Sequence, residues 1–178
     1  MYRLAAAAGL MVALAGAFVA RTSSGPAVGD QAPSFVLAGS DGRVHRLQDY
    51  RNHQVVVLAW FPKAYTHGCT LECKSLAEHS DLIRKYDVAY FMVSVDAVED
   101  TEGFAAEEQA NFPLLADPSK ETAKSYGVLN PVLRVASRRT FYIGRDGRIL
   151  AIDRDVHPAT SAQDMAAKLR DLGVPERR

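Results

Sequence analysis

The chain has 178 residues, 48% apolar and 24% charged, which is the composition of a soluble domain of ordinary size with a short extension. Lysine plus arginine equals aspartate plus glutamate at 21 each, so charge gives no argument for nucleic acid or an anionic membrane surface as a partner. Two cysteines are too few for a disulfide scaffold, and their closeness points instead to redox chemistry, a metal or one local crosslink.

Arg3 precedes an apolar run from Leu4 to Ala20 that carries no charge. With the small residues Ala15, Gly16 and Ala17, it predicts a secretory signal peptide, with an uncleaved membrane anchor as the alternative. Either reading places the protein outside the cytoplasm, exported or periplasmic. Arg21 to Asp30, rich in Ser, Gly and Pro, reads as a linker. The division is therefore 1–28 for targeting and linker and 29–178 for one folded domain.

Phe35 to Leu37 and Val44 to Leu47 flank Asp41-Gly42, a hairpin signal. Val55 to Phe61 is a continuous apolar run rich in β-branched residues, the pattern of a strand buried on both faces, and Pro62 ends it. The spacing predicts a helix from about Cys69 to Tyr86 and a second buried strand from Val88 to Val95. Glu99 to Ala110 and Ser119 to Tyr126 read as helices, the latter closed by Gly127, with a short extended piece at Phe112 to Leu115. Thr140 to Ile143 and Arg148 to Asp153 form strands around Asp146-Gly147, and Ser161 to Leu172 is a last amphipathic helix. This order predicts an α/β domain, a mixed central sheet flanked by helices, in the manner of a thioredoxin-like fold.

Chemistry concentrates in Pro62 to Cys73. Cys69 follows a buried strand and opens a helix, where free N–H groups and the positive end of the helix dipole favour negative charge. The thiolate is the nucleophilic form of cysteine, so Cys69 is the candidate nucleophile. A buried, inert cysteine is the competing reading. Thr66 is a candidate N-cap, Pro62 a strand terminator, and Glu72 a solvated helix carboxylate if none of them serves the site. His67 reads as a loop residue beside the site, and His157 lies just after the last strand. Trp60 reads as core or pocket lining.

The spacing of Pro62, Thr66 and Cys69 resembles the Pro-x-x-x-Thr-x-x-Cys signature of the peroxiredoxin family, and Glu72 fits it too. Arg138-Arg139-Thr140-Phe141 resembles the strand where that family places its essential arginine, which selects Arg138 and leaves Arg139 as a surface residue. Phe112 to Pro118 and Tyr126-Gly127-Val128 are similar to the family's middle segment, and the likeness is to the bacterioferritin-comigratory (Q-type) subgroup. The resemblance implies a thiol peroxidase acting on hydrogen peroxide and organic hydroperoxides. Cys69 becomes a sulfenic acid. Thr66 hydrogen-bonds thiolate and peroxide, Arg138 stabilises charge, Glu72 orients the arginine and Pro62 shields the sulfur. No metal or organic cofactor is implied, the reductant is a thioredoxin-like or other dithiol, and the subgroup suggests a monomer or weak dimer. Cys73 is the candidate resolving cysteine, four residues on where the subgroup has five. Residues four apart in a helix are separated by about 6 Å along its axis. A disulfide needs Cβ atoms roughly 4 Å apart, so bond formation requires this turn to unwind. Otherwise Cys73 is structural and an external thiol takes its place.

Two other readings use the same cysteine pair. Sco-like copper chaperones share the fold and the Cys-x-x-x-Cys spacing. They expect a proline after the first cysteine, where this chain has Thr70, and a histidine before the later strand, absent from Val132 to Thr140. A thiol–disulfide oxidoreductase would want a Cys-x-x-Cys pair and a proline where Arg139 stands.

Overall fold

A computed structural model describes residues 25–177. The targeting segment expected before residue 25 lies outside the described residues. No helix among the described residues is long and apolar enough to cross a membrane.

Seven strands form one mixed sheet: β1 (Val36–Gly39), β2 (Val44–Arg46), β3 (Val55–Trp60), β4 (Val88–Ser94), β5 (Leu114–Ala116), β6 (Arg139–Ile143) and β7 (Ile149–Asp153). Their order is β2-β1-β5-β4-β3-β6-β7. The three central strands β5, β4 and β3 are parallel, and antiparallel strands flank them on both sides. Both predicted hairpins are present, with Gly42 and Gly147 at the positive φ that their turns require.

β3 is buried along its whole length because it lies inside the sheet with both faces covered. Its side chains alternate between two cores. Val55, Val57, Ala59 and Phe61 face one, and Val56, Leu58 and Trp60 face the other. The first core is closed by α2 (His67–Glu78), α3 (Ser80–Arg84), α4 (Val98–Glu107) and α6 (Ser161–Asp171). The second is closed by α1 (Leu47–Tyr50) and α5 (Glu121–Ser125). Full burial of one such apolar side chain is worth roughly 1.5–3 kcal/mol, so the two alternating sets fix the register of β3 against its neighbours.

Two expectations need correction. The long helix expected from Cys69 to Tyr86 begins at His67 and breaks at His79, where φ is −112° and ψ is 28°. The Asn111 side chain supplies the reason. Its amide donates to the carbonyl of Ala77 (3.1 Å) and to the hydroxyl of Ser80 (3.0 Å), offering the chain a partner outside the helix. The expected linker also ends early. Gly29 donates to the carbonyl of Ile149 (2.8 Å), and Ile149 donates back to that of Asp30 (2.9 Å), so these residues line the β7 edge.

Candidate active site

β3 delivers the chain to the site. Phe61 still pairs with Val93 through its N–H (2.9 Å), and Pro62, with no N–H to donate, ends the ladder. The loop that follows is pinned by Asp96, whose carboxylate accepts the N–H of Ala64 at 2.8 Å. Tyr65 takes the left-handed conformation (φ 62°), and its ring lies edge-on to Phe104 at 5.3 Å. Thr66 then turns the chain into α2 with extended backbone angles, and its carbonyl accepts the N–H groups of Cys69 and Thr70, both at 2.9 Å.

Cys69 is the third residue of α2 and is fully buried. Arg138, just before β6, reaches across and donates from Nη2 to the Cys69 Sγ at 3.2 Å. Its Nη1 is held by the carboxylate of Glu72, one turn further along α2 and also fully buried. The guanidinium thus joins the thiol to a buried carboxylate, an arrangement that only a planar, two-pronged cation provides. The other carboxylate oxygen of Glu72 has no hydrogen-bond partner among the described residues, which leaves the carboxylate committed to Arg138. Buried as it is, Glu72 is not the solvated helix carboxylate of the competing reading.

Gly68 permits this approach. A Cβ there would lie 3.3 Å from Arg138 Nη2 and 4.0 Å from Pro158 Cγ. Pro158 opens the 3-10 turn Pro158–Thr160 that packs against the start of α2. Gly68, Asp96 and Glu108 are site neighbours that sequence reasoning missed. Only Gly68 carried a signal, a glycine immediately before the nucleophile.

Thr66 differs from expectation. Its hydroxyl donates to the carbonyl of Lys63 (3.0 Å) and makes no cap, so the side-chain capping role does not hold, and its hydrogen bond does not go to Cys69. The donor is taken up within the loop, and the oxygen keeps lone pairs for accepting. Pro62 is half-buried, and His67 and His157 are exposed. Arg139 is not free on the surface: it donates to the carbonyl of Gly127 at 3.2 Å.

Cys73 is fully buried in the first core and both cysteines are free. Burial pushes its thiol up to about 12, helped by the negative charge of Glu108 and by Cys69. α2 is continuous through both cysteines, and no disulfide joins them in this state.

No group of three or more His, Cys, Asp or Glu side chains among the described residues is disposed to hold a metal ion. A guanidinium against Cys69 Sγ is moreover a poor neighbour for a copper ion, because like charges repel.

The pattern of the AhpC/TSA family matches residues 28–152. The chain is 33% identical to peroxiredoxin Bcp of Escherichia coli over 127 residues, covering 68% of this chain and 81% of that protein. It is 33% identical over 124 residues to alkyl hydroperoxide reductase E of Mycobacterium tuberculosis, with the same coverage. Among solved structures, peroxidoxin BcpB of Mycobacterium tuberculosis superposes with a TM-score of 0.73 at 27% identity, over 81% of this chain and 96% of that one. A cysteine-to-serine mutant of PrxQ from Xylella fastidiosa gives 0.71 at 26% identity, over 83% and 97%.

Proposed function

The chain belongs to the AhpC/TSA family and is a peroxiredoxin, a thiol peroxidase, and from this we propose that Cys69 is the sulfur that attacks the peroxide. The observation that carries the reading is the Arg138 contact with Cys69 at 3.2 Å, braced by buried Glu72. The Cys69 thiolate attacks the terminal oxygen of hydrogen peroxide or an organic hydroperoxide. An S–O bond forms and the O–O bond breaks. Sulfur is oxidised to the sulfenic acid, and the leaving oxygen departs as water or an alcohol after taking a proton.

Arg138 stabilises the charge that moves from sulfur to the leaving oxygen. Glu72 fixes the guanidinium in place. Thr66, whose hydroxyl donates to the Lys63 carbonyl, accepts the peroxide O–H, and Pro62 keeps water from the sulfur. The Cys73 thiol then attacks the sulfenic sulfur, giving the Cys69–Cys73 disulfide and one water. The first turns of α2 unwind for this step, since the continuous helix holds the two positions too far apart. A thioredoxin-like dithiol reduces the disulfide. The substrate is thus a peroxide and the partner a dithiol reductant, and the protein works as a monomer or weak dimer. The apolar N-terminus directs it out of the cytoplasm, cleaved or retained as an anchor. A guanidinium clamped on the first cysteine does not suit a Sco-like copper site, and a thiol–disulfide exchanger would want the Cys-x-x-Cys spacing that this chain lacks.

Stopped-flow oxidation of the reduced protein by hydrogen peroxide, followed by intact mass, tests this. Cys69→Ser abolishes fast oxidation, and Arg138→Ala slows it by about 10²–10³, the usual cost of a lost charge-stabilising donor. Oxidation that is equally fast in either variant overturns the assignment.

A further inference from the structure

Resting on the disulfide step proposed above, we infer that Glu108 is a positioning residue: it clasps the start of α2 and sets how fast oxidised Cys69 meets Cys73. Glu108 is the residue that caps the C-terminal end of α4, and it is 8% exposed. One of its carboxylate oxygens accepts the Thr70 hydroxyl at 2.8 Å, and the other pairs with Lys74 Nζ at 3.6 Å. These two residues lie within the stretch that must unwind, one beside each cysteine. Thr70 follows Cys69 directly, and Lys74 follows Cys73.

The limits of the unwinding segment are visible in the same way. Ser75 accepts the N–H of Ala162 in a buried hydrogen bond (3.2 Å) that fixes the next turn of α2 to α6. Beyond it, Asn111 holds Ala77 and Ser80. The stretch that can unwind therefore runs from His67 to Lys74. Among the described residues, the side-chain polar contacts that tie this stretch to the rest of the fold go to two places. One is Arg138, which holds Cys69 and Glu72, and the other is Glu108.

The chemistry itself weakens the first at its contact with sulfur. Conversion of the thiolate to a neutral sulfenic acid removes the charge that drew Arg138 to sulfur. Nothing in the reaction touches Glu108, so its clasp outlasts oxidation, alongside the Arg138–Glu72 pair. The Thr70 bond is the stronger half, because it is charge-assisted and shielded, whereas Lys74 is about half exposed and contributes little. The negative charge of Glu108 beside Cys73 also disfavours the resolving thiolate.

The test compares the full-length reduced protein with its Glu108→Ala and Thr70→Val variants. Each is treated with one equivalent of hydrogen peroxide, quenched with an alkylating agent and weighed. Glu108→Ala forms the disulfide about tenfold faster, Thr70→Val follows in the same direction, and oxidation of Cys69 keeps its rate. Because unwinding to the disulfide breaks the clasp, its loss also moves the dithiol–disulfide equilibrium about tenfold toward the disulfide, which is about 30 mV. A variant that is merely less stable in both redox forms does not move that potential. An unchanged disulfide rate and an unchanged potential in Thr70→Val overturn the clasp and leave the disulfide reading standing. A sulfenic acid that persists with no disulfide in the wild-type protein overturns the disulfide reading and the clasp together.

Discussion

The two cysteines lie four residues apart on one helix, yet their neighbours differ in kind. Both are buried in the first core, but Cys69 has a guanidinium against its sulfur, whereas Cys73 has the Glu108 carboxylate nearby. Burial raises the Cys73 thiol from an ordinary 9.0 to about 12, and this difference acts on stability as well as reactivity. Below about pH 9 the thiol is protonated in both folded and unfolded chains, and its contribution is fully present. As pH climbs past the unfolded value, the unfolded chain releases the proton and the folded one does not. Stability is therefore lost with rising pH until about 12. Buried Tyr126 and Tyr142 are pushed up in the same way and add slopes of the same sign. A comparison with Cys73→Ala isolates the thiol, since the tyrosines are common to both proteins. Urea unfolding under reducing conditions gives a midpoint that falls more steeply between pH 9 and 11 in the wild-type protein than in Cys73→Ala. Parallel curves would show that Cys73 titrates as an ordinary thiol.

At the scale of elements, the site depends on a short loop held in an unfavourable shape. A tyrosine at positive φ is an outlier that its surroundings must enforce. Here the enforcement comes from the Phe104 ring and from the Asp96 carboxylate on the N–H of buried Ala64. Asp96→Ala leaves that N–H without a partner and costs about 1–3 kcal/mol. It also loosens the loop that sets Cys69, slowing peroxide oxidation about tenfold. Amide exchange checks the cause: the Ala64 N–H exchanges faster in the variant, while Leu58 N–H in β3 keeps its protection. Equal protection at Ala64 would place the restraint elsewhere. This loop also marks where sequence reading ran out. The strand Val55 to Phe61 and the helix after it were legible because apolar runs and turn residues are local signals. Asp96 and Glu108 were not, because their partners lie 32 and 38 residues away and neither sits in a recognisable pattern. The break at His79 was hidden for the same reason, since its cause is Asn111 in the distant loop before β5. Thr66 was legible in position but not in hydrogen bonding, because a hydroxyl with several acceptors in reach is settled only by backbone geometry.

The molecule as a whole separates support of the site from support of the sheet. Period-two alternation along β3 sends one set of side chains to the core beneath α2 and α4 and the other to the core beneath α1 and α5. That alternation was readable from the sequence, whereas the strand order was not, because β1 pairs with β5, from which β2, β3 and β4 separate it along the chain. Phe104, fully buried in α4, touches Phe61 at the end of β3 (6.0 Å) and Tyr65 in the loop (5.3 Å), so it supports the site from below. Leu115, fully buried in β5, belongs to the opposite core. Truncation at either place removes a well-packed side chain: Phe104→Ala costs about 3–5 kcal/mol and Leu115→Ala about 2–5 kcal/mol. Their effects on chemistry diverge. Phe104→Ala lets the loop and α2 shift and slows peroxide oxidation by about 10–100-fold, because an ångström of misplacement at a reacting group is enough for that. Leu115→Ala unfolds at lower urea but, while folded, reacts at close to the wild-type rate. Parallel losses of rate in both variants would mean that the site answers to the stability of the whole sheet rather than to the face that carries it.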